Sequence, residues 1–141
     1  ILHLAREEAR GGASATGRTS DIIRQADVFD ARKHVLELYL SDDLEQYLLE
    51  IILATRKPEA YGEDLARWLE YGASPRASIA LDRCARAHAW LDGRDYVGPD
   101  DIQAIAPDVL RHRLILNYEA VADGISADHV IAELLSRIAV P

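Results

Sequence analysis

Ser74-Pro75-Arg76 is the tripeptide in this chain best suited to hold an anion. Serine is a preferred helix cap, and proline suits the first helical position. Arg76 then falls in the first turn, where the positive helix end disfavours a cation by roughly a few tenths of a kcal/mol. An anion held between them reverses that sign, since free backbone N–H groups and a guanidinium together bind phosphate. The same residues admit a plainer arrangement, in which Arg76 pairs with Asp64 or Glu70. From the residues alone both readings stay open, with the local ion pair ahead.

Other chemistry-bearing residues have bland explanations. His3, His34, His88, His112 and His129 are scattered. Cys84 and His88 stand four apart on one helix, a spacing compatible with metal ligation. On an Ala-rich face they read as core residues, so no metal site is expected, and no cysteine nucleophile, which needs a polar, accessible setting. The pairs Asp42-Asp43, Glu63-Asp64 and Asp100-Asp101 each fall near a helix start, where acids suit the dipole. Arg83, Arg86 and Arg94 form a basic strip that local salt bridges explain. Neither a Gly-x-x-x-x-Gly-Lys-Ser/Thr phosphate loop nor a Gly-x-Ser-x-Gly elbow occurs in the sequence.

The elements that must position these residues read as helices. Ile1 to Arg10 resembles a helix end, and Gly11-Gly12 to Gly17 a linker. Ser20 or Asp21 caps a helix to about His34, with Ile22, Ile23, Ala26, Val28 and Phe29 on its apolar face. Ser41 caps the next, with Glu45 in a rough capping box. Leu44, Tyr47, Leu48, Ile51 and Thr55 recur at helical spacing there, widened by Leu49, Ile52 and Leu53 into a central core helix. After Pro58, the stretch to Tyr71 holds a short helix with Leu65, Trp68 and Leu69, closed by Gly72. Trp68 either packs inward or faces a neighbouring subunit.

Ser74-Pro75 opens a long helix to Leu91, with the stripe Ala77, Ala80, Leu81, Cys84, His88 and Leu91. Tyr96-Val97 is extended. Gly98-Pro99 opens a helix carrying Ile102, Ile105 and Ala106 inward, which Pro107 interrupts. Arg113 to Tyr118 is a strand or an irregular packed segment. Ser126 caps a last helix with Val130, Ile131, Leu134, Leu135 and Ile138 inward. The expected fold is mainly α: a bundle of five or six helices with at most a small β-hairpin.

Length and composition bound the function. The 141 residues suit one domain, 49% of them hydrophobic and 28% charged, as in an ordinary folded protein. The net charge of −8 argues against nucleic acid, and no apolar run reaches membrane-spanning length. The lone cysteine suits a reducing, cytoplasmic compartment. With no methionine and Ile1 in first place, the chain reads as a segment of a longer protein.

A resemblance sharpens this. Gly72-Ala73-Ser74-Pro75-Arg76-Ala77 resembles the second-sensor motif of MoxR-type AAA+ ATPases. Upstream, Tyr47 and Ala54-Thr55-Arg56 resemble the helix that precedes that motif. Downstream, Ala87-His88-Ala89 through Gly93-Arg94 and Tyr96-Val97, then Pro99-Asp100-Asp101-Ile102 and Val109-Leu110-Arg111-His112-Arg113, resemble its later segments. The likeness spans roughly residues 20 to 141 and implies a C-terminal helical lid at 19–141, with 1–18 leading in from a nucleotide-binding core.

It also implies that Arg76 reaches the γ-phosphate of ATP, aimed by Ser74 and Pro75, in its own or a neighbouring subunit. The longer protein would bind ATP and Mg²⁺, form a homo-oligomeric ring, and remodel or mature client proteins, often metal-containing. Partners with von Willebrand factor A domains are associated with such relatives. The segment alone would be inactive. Two further readings carry their own signatures: a free-standing helical adaptor in which Arg76 serves packing, and an autonomous enzyme using Cys84 and His88, with thiol-sensitive activity.

Overall fold

The computed structural model describes residues 23–141. The expected helix end at 1–10, the linker at 11–17, the Ser20 or Asp21 cap and Ile22 lie outside the described residues. By compactness the chain divides into units of residues 1–31 and 32–141.

Seven α-helices occur among the described residues. Helix α1 spans Gln25–Glu37, α2 Asp42–Arg56, α3 Glu63–Trp68, α4 Arg76–Leu91, α5 Pro99–Leu110, α6 Tyr118–Ala122 and α7 Ala127–Arg137. Strand β1 (Leu69–Tyr71) pairs antiparallel with β2 (Ile115–Leu116), matching Leu69 to Leu116 and Tyr71 to Ile115. The mainly α reading holds, with one or two more helices than expected. The strands lie far apart in sequence, so the small sheet is a long-range clasp rather than a local hairpin. Helix α1 buries none of its side chains, and Ile23, Val28 and Phe29 are exposed.

Helix α2 is central to the second unit. Leu44, Tyr47, Leu48, Ile51, Ile52, Ala54 and Thr55 are buried, whereas Leu49 and Leu53 face outward. Its start is capped by the Ser41 hydroxyl, which accepts from Leu44 N–H at 3.3 Å. Glu45 lies one position too far on to complete a capping box, because Leu44 holds the third helical position.

Helix α4 packs against α5 and α2, and α7 packs against α5 and α2. The buried ladder of α4 is Ala77, Leu81, Ala85 and Ala89. Of the expected stripe only Ala77 and Leu81 are buried, while Cys84 and Leu91 are exposed. The alanines at three of these four positions let α5 approach closely. Helix α5 continues through Pro107, because Ala106 before it and Val109 and Leu110 after it are anchored in the core. In α7, Val130, Ile131 and Leu134 are buried, and the Ser126 hydroxyl accepts from His129 N–H at 3.1 Å.

Trp68 packs partly buried on the core, its ring 5.4 Å from that of His129. Leu69 leaves the short helix and begins β1. At the other end of α3, the Arg137 guanidinium donates to Asp64 Oδ1 at 2.7 Å and Oδ2 at 2.6 Å, to Glu133, and to the Tyr61 carbonyl. These bonds hold the Asp64 carboxyl below its ordinary range. They join α3 to the end of α7.

Candidate functional site

Helix α2 ends with Ala54-Thr55-Arg56, and the last two of these fasten the loop that leads to Arg76. Thr55 is 1% exposed. Its hydroxyl donates to the Ile52 carbonyl at 2.7 Å and accepts from Ala73 N–H at 3.0 Å. Arg56 Nη1 donates to the Ala73 carbonyl at 3.3 Å. Ala73 is fully buried. Gly72 lies so close to α2 that a Cβ there would sit 2.0 Å from the Thr55 carbonyl oxygen. Only glycine fits, for reasons of space rather than backbone dihedrals.

Three residues beyond Ala73, α4 begins at Arg76, with Pro75 in the cap position. The start thus lies one residue later than expected, and the Ser74 side chain makes no cap bond. The Ser74 carbonyl accepts from Ala77 N–H at 2.8 Å, and that of Pro75 from Ser78 N–H at 3.2 Å. Two first-turn amides expected to be free for a phosphate are therefore engaged. Ser74, Pro75 and Arg76 are all exposed. The local ion pair weighed for Arg76 is not formed: Asp64 pairs with Arg137, and Arg76 has no hydrogen-bonding or ion-pair partner among the described residues. The anion-binding capacity of this helix start rests on the guanidinium, which stays charged and offers a fork of donors.

The second cluster sits at the other end of α4. Asp101 is 1% exposed and accepts four bonds. Arg94 Nη1 and Nη2 donate at 2.7 and 2.5 Å, Gly98 N–H at 2.8 Å, and His88 Nδ1 lies at 2.7 Å. The Arg94 bonds first, and the Gly98 and His88 bonds with them, hold the Asp101 carboxyl well below the carboxylate range against the opposing effect of burial. Arg94 also bonds Asp92 at 3.1 Å and lies 6.0 Å over the Tyr96 ring. His88, Asp92 and Asp101 are close enough to suggest a cation site. The space among them is taken by the guanidinium, which supplies the positive charge, so the cluster does not fit a metal.

Its role is structural. Gly93, at φ +76°, ends α4, with its N–H on Trp90 and that of Arg94 on Ala89, the paired bonds of a Schellman cap. Tyr39 and Tyr96 form a parallel bridge just beyond. The run from His88 to Asp101 thus staples α4, the 92–98 loop and α5. Of the basic strip, Arg86 pairs with Asp82 at 2.7 Å as a local salt bridge, whereas Arg94 turns to the buried Asp101.

In the sequence, Thr55 reads as part of a core stripe, Gly72 as a helix stop and Asp101 as dipole capping. Their partners lie up to 18 residues away in sequence, beyond what periodicity reports. A hydroxyl within the apolar stripe of α2 was the available signal for Thr55.

Residues 65–134 match the model of the AAA lid domain. The chain is 40% identical over 125 residues to chaperone MoxR1 of Mycobacterium tuberculosis, covering 88% of this chain and 33% of that protein. It is 38% identical over 120 residues to the uncharacterized protein YeaC of Bacillus subtilis, covering 85% and 35%. A solved structure of a candidate ATPase from Cytophaga hutchinsonii superposes with a TM-score of 0.79 at 44% identity, covering 82% of this chain and 36% of the other. The helical unit is therefore an AAA lid domain. Within that class the chain belongs to the MoxR family. It spans about a third of the length of the curated relatives it matches.

Proposed function

We infer that this chain is the lid of a MoxR-type AAA+ ATPase and that Arg76 delivers a guanidinium to the γ-phosphate of bound ATP. The observation that carries this reading is the state of Arg76: exposed, without a partner among the described residues, at the first position of a helix whose approach loop is fixed to α2. An arginine displayed this way is available to an anion, and its fork matches phosphate oxygens. Ser74 and Pro75 set the helix start that aims it. They contribute shape rather than amide donors.

In this proposal residues 1–18 lead from a nucleotide-binding core into a lid at 19–141. The core holds Mg²⁺ and most of the nucleotide. Arg76 adds charge stabilisation where the γ-phosphoryl group leaves, and its loss of contact after hydrolysis lets the lid move. The longer protein acts as a homo-oligomeric ring in the cytoplasm, remodelling or maturing client proteins, with von Willebrand factor A domain proteins among the candidate partners. A named chaperone among the relatives supports that direction. Among the described residues no helix is long and apolar enough to cross a membrane.

Arginine-directed modification tests the contact. In the longer protein, phenylglyoxal should label Arg76 readily without nucleotide or with ADP, and poorly with a non-hydrolysable ATP analogue. Equal labelling in all three states, read by mass spectrometry, would remove Arg76 from the phosphate and favour the adaptor reading.

A further inference from the structure

We propose that Thr55 is the positioning residue for Arg76. The inference rests on the reading of Arg76 as a phosphate contact and deepens it.

A threonine near a helix end ordinarily bonds back to a carbonyl of its own helix. Thr55 does this through its donor, on Ile52. Its acceptor side goes to Ala73 N–H, 18 residues on. A hydroxyl has one proton to give, so the geometry divides its work between helix α2 and the loop. Ala73 is fully buried, so without Thr55 its N–H would be left without a partner in an apolar setting.

The neighbouring attachments act at the same place. Arg56 holds the other side of the Ala73 peptide chain through its carbonyl, and Gly72 presses on the last turn of α2. From Ala73 only Ser74 and Pro75 intervene before Arg76, and the proline ring fixes its own φ. The first turn of α4 is then closed by the Ser74 and Pro75 carbonyls. The position and direction of the Arg76 side chain follow from where the Ala73 peptide is held. Thr55 touches no phosphate in this account. It acts through the loop.

The test uses the longer protein that carries this segment. Thr55→Val keeps the shape and removes the hydroxyl, and Thr55→Ser keeps the hydroxyl. Thr55→Val should lower kcat for ATP by roughly tenfold, as a small misplacement of a transition-state contact does. Thr55→Ser should restore most of it. Combined with Arg76→Ala, Thr55→Val should slow turnover no further than Arg76→Ala alone. Amide exchange at Ala73 should speed up in the valine variant and not in the serine variant.

Arg56→Ala removes the exposed end of the same fastening. It serves where Thr55→Val does not fold, and should also slow turnover only while Arg76 is present. Normal turnover in these variants, beside a slow Arg76→Ala, would overturn the positioning role alone. A loss that persists undiminished in the Arg76→Ala background would overturn it too, by showing a general effect on the fold. If Arg76→Ala itself turns over normally, the phosphate reading and this inference fall together.

Discussion

Asp101 shows how one charged side chain can fix a junction of three elements. A carboxylate with 1% exposure is tolerable only because Arg94, Gly98 and His88 surround it with donors. Arg94→Ala should lower the unfolding free energy measured by urea titration, since it leaves the buried Asp101 carboxylate without its guanidinium. The pH dependence has a definite sign. The folded carboxyl sits below its unfolded value, so the stabilisation is complete above the ordinary carboxylate range and lost as pH falls toward the folded value. Wild type should therefore lose more stability than Asp101→Asn between about pH 5 and pH 3. From sequence, Asp101 was legible as a helix-start acid, and it does accept from Gly98 N–H. Its ion pair was not, because Arg94 reads equally well as a solvated surface charge. Arg76 stands out in the sequence through its motif. That it has no partner among the described residues is not legible there, because it depends on Arg137 taking Asp64.

At the scale of elements, the Ala-rich helix α4 separates what periodicity reports from what packing decides. Two stripes of this helix are similarly apolar. The expected one contained Cys84 and Leu91, and the buried one runs through Ala77, Leu81, Ala85 and Ala89. The close approach of α5 selects the alanines, a constraint that local pattern does not contain. Ala85→Leu should thus destabilise the fold by about 1–3 kcal/mol or more, measured as a lowered urea midpoint at unchanged slope. Exposed Cys84 should react with a thiol reagent in the native state, with no loss of helical circular dichroism. Slow labelling that tracks unfolding would contradict the observed face. The capped starts at Ser41 and Ser126 were legible because a hydroxyl cap is a local signal. The β1–β2 clasp was not, because its strands meet only after α4 and α5 have folded back between them.

At the scale of the whole molecule, the described residues offer the proposed phosphate contact an exposed guanidinium at a fastened helix start and little else of a phosphate site. Two first-turn amides of α4 are engaged, and the one acidic cluster close enough to suggest a metal, among the described residues, encloses Arg94. The isolated chain should accordingly fold yet hydrolyse no ATP above background. Whether Arg76 serves the γ-phosphate is decided by ATP turnover of the longer protein, wild type against Arg76→Ala, with circular dichroism confirming that both are folded. Arg76→Ala should lose about tenfold or more at saturating ATP, the scale of one transition-state charge contact. Equal turnover by the two folded proteins would contradict it.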